Sequence, residues 1–82
     1  MAEQAFGERV RELRQARRWS QAELAAAMTE AGFPWQPVTV TRVERAQRPT
    51  RVSELAALSQ VFDVKVGALL LGDPHQEPPV LT

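Results

Sequence analysis

The chain has no cysteine. That excludes a disulfide framework, a thiolate metal site and a catalytic thiol. Its single histidine is His75. With no cysteine and no second histidine, a transition-metal site is not expected. The four glycines stand apart from one another, so no Gly-rich loop exists to cradle a phosphate. Ser20, Ser53 and Ser59 have no histidine base near them in sequence, and the carboxylates are scattered over helix surfaces. Neither enzyme activity nor a cofactor is therefore expected. No apolar run approaches the length needed to span a membrane. The first residues, Met-Ala-Glu-Gln-Ala-Phe, lack the basic start and long apolar centre of a secretory signal. A cytoplasmic location and no membrane partner are the expectation.

What is present is arginine, placed unevenly. At 82 residues the chain makes one domain with a small core. Its formal net charge is zero, but that balance hides a segregation. Residues 9–51 hold nine arginines against Glu12, Glu23, Glu30 and Glu44, a net of +5. The remainder holds Lys65 against six acidic residues, a net of −5. A segregated basic segment can attract phosphate whatever the whole-chain isoelectric point.

The periodicity is helical throughout. Residues 3–18 place Phe6, Val10, Leu13 and Arg17 on one stripe, with an acidic start and a basic end that suit the helix dipole. A second helix starts at Ser20-Gln21-Ala22-Glu23, a capping box, with Trp19 positioned to staple onto Leu24. Leu24, Ala25 and Met28 form its buried face, and Gly32 and Pro34 end it. A third helix starts near Gln36 with Pro37 in its first position, where the missing N–H costs nothing. Val40 and Val43 mark its buried side. At about 100° per residue, Val38, Arg42 and Arg45 face away from them, with Thr39 and Thr41 at the two edges. Guanidinium, hydroxyl and methyl groups on one face can read base edges in a DNA major groove. A fourth helix, capped by Thr50 or Ser53, buries Leu55, Leu58, Val61 and Phe62, and a short fifth covers about 65–71.

These residues resemble the Cro/CI-type (XRE) helix-turn-helix family. The matching pieces are Val10-Arg11-Glu12-Leu13-Arg14 and Trp19-Ser20-Gln21-Ala22-Glu23-Leu24-Ala25. Thr39-Val40-Thr41-Arg42-Val43-Glu44-Arg45 and Pro49 follow, then Leu55-Ala56-Ala57-Leu58, Phe62-Asp63-Val64 and Leu69-Leu70. The resemblance covers roughly residues 5–72. It implies an all-α fold, a five-helix Cro/CI (lambda-repressor-like) bundle whose third helix, about 36–47, enters the major groove. It also implies that Arg14 and Glu44 pair to tie the first helix to the third, and that Gln21 bonds a DNA phosphate. The sequence departs from the family twice. The turn from Met28 to Gln36 is several residues longer than usual, so the second helix gains a turn at Thr29-Glu30-Ala31 or the turn loops out. Ala46 stands where the family usually has glycine, so the third helix is expected to run on toward Gln47 before Pro49 stops it.

The functional expectation is a sequence-specific regulator of transcription that binds double-stranded DNA. Val38, Thr39, Thr41 and Arg42 are the candidate base readers. Gln21, Arg45, Arg48 and Arg51 are the candidate phosphate contacts, which set orientation without reading sequence. Three consecutive leucines, Leu69, Leu70 and Leu71, exceed what a short helix can bury, and related repressors dimerise through this end of the fold. A homodimer is expected there. The second reading is a protein-interaction module on the same fold, an antitoxin or adaptor, with Phe33, Trp35 and these leucines as its surface. Residues 1–72 form the domain. Residues 73–82, Asp73-Pro74-His75-Gln76-Glu77-Pro78-Pro79 and onward, read as a flexible proline-rich tail or linker.

Overall fold

The computed structural model describes the backbone of residues 2–71 and the side chains of 5–70; the expected tail, 73–82, and the Leu71 side chain lie outside them. The described residues form five helices and no strand: α1 (Ala2–Ala16), α2 (Gln21–Glu30), α3 (Pro37–Glu44), α4 (Val52–Phe62) and α5 (Val66–Leu71). The fold is a small all-α bundle with a helix-turn-helix.

Each helix start follows from local chemistry. The Ser20 hydroxyl accepts from the Glu23 N–H at 3.0 Å, and Glu23 accepts from the Ser20 N–H at 2.7 Å. Pro37 opens α3, and the Gln36 N–H donates to the Thr39 hydroxyl at 3.1 Å. At α4 neither Thr50 nor Ser53 caps. The N-cap is Arg51, whose N–H donates to Glu54 Oε1 at 3.0 Å. A carboxylate three residues into the helix replaces the hydroxyl that the sequence reading favoured.

The helix ends share one device. After α1, α2, α3 and α4, two backbone N–H groups reach back to carbonyls five and three residues earlier, around a residue in the left-handed region. Only α2 uses glycine, Gly32; the others use Arg18, Ala46 and Asp63. Ala46 therefore does not prolong α3. It adopts φ 57°, and the Gln47 N–H bonds the Arg42 carbonyl at 2.7 Å. The third helix stops at Glu44, not at 47, because satisfying its last carbonyls outweighs the modest cost of a Cβ there.

The extended turn resolves in favour of a longer α2, which runs to Glu30. The chain then crosses through Phe33-Pro34 to Trp35, which is buried. The core is Val10, Leu24, Met28, Val40, Val43, Leu58, Phe62 and Leu69, all fully buried, with Phe6, Ala25, Trp35 and Ala57 around them. Trp19 stacks on Phe62 with ring centroids 5.7 Å apart. The Arg17 guanidinium lies 5.2 Å from the Phe62 ring and donates to the Phe62 carbonyl, so this arginine closes the core at its edge.

Two contacts set α3 against α1. Gly7 is buried, and a Cβ there would stand 2.6 Å from the carbonyl oxygens of Val43 and Glu44. Two turns along α1, Arg14 meets Glu44 itself.

Candidate nucleic-acid interface

With Val40 and Val43 held in the core, α3 turns its other side outward. Val38, Arg42 and Arg45 are exposed there, and Thr39 and Thr41 are half-buried at its edges. Neither Arg42 nor Arg45 forms an ion pair among the described residues. The Thr39 hydroxyl accepts from the Gln36 N–H at the helix start, which leaves its own proton and its methyl group to offer a partner.

Beside this face lies a polar cleft of about 210 Å³ lined by Arg11, Arg14, Gln15, Gln21, Thr41, Glu44 and Arg45. Its floor is the α1–α3 ion pair. Arg14 Nε donates to Glu44 Oε2 at 2.6 Å and Nη2 to Oε1 at 3.1 Å, both side chains nearly buried. Arg14 Nη1 also donates to the Trp19 carbonyl at 2.9 Å. The fork of the guanidinium matches the carboxylate, so α1, the start of α2 and the end of α3 are joined at one point. Gln21 sits at the first position of α2 and donates to Glu44 Oε1 at 3.3 Å. Thr41 donates to Gln21 Oε1 at 2.9 Å.

Two residues expected at the DNA face have different surroundings. Arg48 turns back on the fold, donating to Glu54 Oε2 at 3.0 Å and Oε1 at 3.3 Å, with its guanidinium 5.6 Å from the Trp35 ring. It anchors the long turn, whereas Arg51 keeps an exposed side chain at the start of α4. Leu69, expected at a dimer contact, is fully buried, because its register on α5 points it at the core. Leu70 is 48% exposed.

Glu54 was not singled out in the sequence. It is 5% exposed and receives hydrogen bonds from Arg48, from the Arg51 N–H and from the Trp35 indole N–H at 3.1 Å. Its position three residues past a helix start was the one local signal available. Burial alone would raise its pKa. The hydrogen bonds from Arg48, Arg51 and Trp35, with the Arg48 charge, outweigh burial and hold the carboxyl below its ordinary value of 4.5. Because the folded value is lowered, the stability from ionised Glu54 is fully present above that ordinary value. It is lost as pH falls through the lowered one. Glu54→Gln is expected to be less stable than wild type at neutral pH and to show a shallower loss of thermal midpoint on acidification. Parallel acid limbs for the two proteins would reject this role.

Among the described residues, no helix is long and apolar enough to cross a membrane. A family model described as a helix-turn-helix domain matches residues 5–70, which span all five helices from the first turns of α1. No curated protein and no solved structure matches the chain significantly.

Proposed function

The chain belongs to the helix-turn-helix domain family, whose members bind DNA, and from that premise we propose that it is a sequence-specific transcriptional regulator with α3 in the major groove. The observation that carries this reading is the outward face of α3. Val38 and Arg42 stand opposite the buried Val40 and Val43, and Arg45 stands beside them. Arg42 is suited to grip guanine through O6 and N7, and Val38 to meet a thymine methyl. Arg45, exposed at the end of α3, and Arg51, exposed at the start of α4, are assigned to the phosphate backbone. One of the two Gln21 amide hydrogens is engaged by Glu44. The other is left for a phosphate, next to the free N–H groups at the start of α2. Arg48 then serves the fold rather than the DNA.

The same proposal includes a twofold dimer, and the burial of Leu69 moves its expected contact to Leu70. Leu70 borders an apolar groove of about 220 Å³ that Phe6, Pro49 and Leu55 also line. Two-fold proteins of this class read half-sites about one helical turn apart, or multiples of it. The interaction-module reading is weaker, since Trp35 and Leu69 are both in the core and cannot offer a surface.

Binding-site selection at fixed salt tests the proposal. Arg42→Ala is expected to cost about 1–3 kcal/mol and to flatten the preference at one base pair per half-site. Arg51→Ala should weaken all sequences alike and reduce the salt slope by about one unit. An Arg42→Ala protein with full preference, beside an Arg45→Ala protein without it, would mean that α3 lies in the groove in another register.

A further inference from the structure

The side-chain hydrogen bonds between α2 and α3 run in one direction, and the direction is forced from the buried end. Glu44, held by Arg14, is a carboxylate and can only accept. Gln21 must therefore turn its amide nitrogen toward Glu44, where it donates at 3.3 Å. That places the amide oxygen of Gln21 against Thr41, and the Thr41 hydroxyl donates to it at 2.9 Å. The other partner of that hydroxyl is the Pro37 carbonyl at 3.3 Å, also an acceptor. Both neighbours draw the single hydroxyl proton inward.

A threonine hydroxyl has one proton and two lone pairs, and a free one rotates to suit either a donor or an acceptor. With its proton held inward, Thr41 faces the groove as an acceptor only. In the major groove adenine and cytosine present amino donors, N6 and N4, while guanine and thymine present the O6 and O4 acceptors. We propose that Thr41 reads the amino group of adenine or cytosine and disfavours guanine and thymine at the same place, with Gln21 as the positioning residue that sets its polarity. This rests on the reading of α3 as the recognition helix. Thr41 lies at the edge of that face, half-buried, so its hydroxyl can hold Gln21 while its remaining lone pairs face a base.

The test selects bound sequences from a random duplex pool with wild type, Thr41→Val, Thr41→Ser and Gln21→Ala, each checked for a cooperative thermal transition. Wild type is expected to favour adenine or cytosine at one position that Thr41→Val leaves open and Thr41→Ser preserves. Replacing that base by its analogue without the amino group should weaken wild type about 2- to 10-fold, the worth of one neutral hydrogen bond, and leave Thr41→Val unchanged. Gln21→Ala should bind all sequences more weakly, having lost a phosphate contact, and should select the same site but discriminate less between amino and carbonyl bases there, since only the longer Pro37 bond then holds the proton. A guanine or thymine preference at the Thr41-dependent position overturns the inference, as does a Thr41→Val protein with wild-type preferences. Full discrimination in Gln21→Ala overturns the role given to Gln21. If Thr41→Val does not fold, the base analogue measured on wild type and Thr41→Ser decides, and equal affinity for the two bases overturns the inference. Failure of wild type to select any sequence would remove the proposed function and this inference together. A selected site indifferent to Thr41 would remove the inference alone.

Discussion

Glu44→Ala is expected to destabilise the fold by about 3–5 kcal/mol, the cost of breaking a buried pair by removing one partner. The loss is large because Arg14 stays behind, its side chain 11% exposed and its two bonds to the carboxylate gone. Gln21 loses its acceptor in the same substitution. A domain of this size has a total stability on the order of 4–12 kcal/mol, so the variant should lie near the limit of folding. Chemical denaturation at neutral pH measures the effect. Removing both charges should cost less than the sum of the single changes, which a double-mutant cycle with Arg14→Ala reads directly. A Glu44→Ala midpoint equal to that of wild type would show that the pair holds nothing together.

Gly7→Ala should also destabilise, by roughly 1–3 kcal/mol, although alanine is the better helix former by about 1 kcal/mol. The two effects oppose each other, and geometry decides the sign. The new Cβ would meet two backbone carbonyls at 2.6 Å, those of Val43 and Glu44. Backbone at the end of a helix cannot swing aside as a flexible side chain can. α1 and α3 must therefore separate, which loosens the packing around Val43 and strains the Arg14–Glu44 pair two turns along α1. Gly7→Val should be worse still. A thermal midpoint lowered by several degrees is the expected reading, and a raised midpoint would mean that the helices part at little cost.

Much of the architecture was legible because it is written locally. The capping box at Ser20 and Glu23, the proline at the start of α3 and the three-residue step from Val40 to Val43 each act within one or two turns. Hydrogen bonding and periodicity at that range depend little on the rest of the chain. The same step placed Arg42 opposite the core before any packing was known. The resemblance supplied the pairing of Arg14 with Glu44, thirty residues apart, which no local pattern could.

Other features were decided by packing alone. Nothing local distinguishes Leu69 from Leu70, or Arg48 from Arg51. Yet Leu69 is in the core, Leu70 is half exposed, and Arg48 faces Glu54 instead of solvent. The Trp35–Glu54 bond joins residues nineteen apart, and a buried carboxylate is favourable only once Arg48 and the Arg51 N–H are in place around it. Ala46 takes a conformation its side chain disfavours, because the orphan carbonyls at the end of α3 gain partners when it does. The sequence by itself determined where α2 and α3 start and which faces they bury, since those depend on neighbours a turn away. The tertiary structure alone decided which polar groups are buried and which way each arginine turns, since a charge settles only where its partners from other helices have already met.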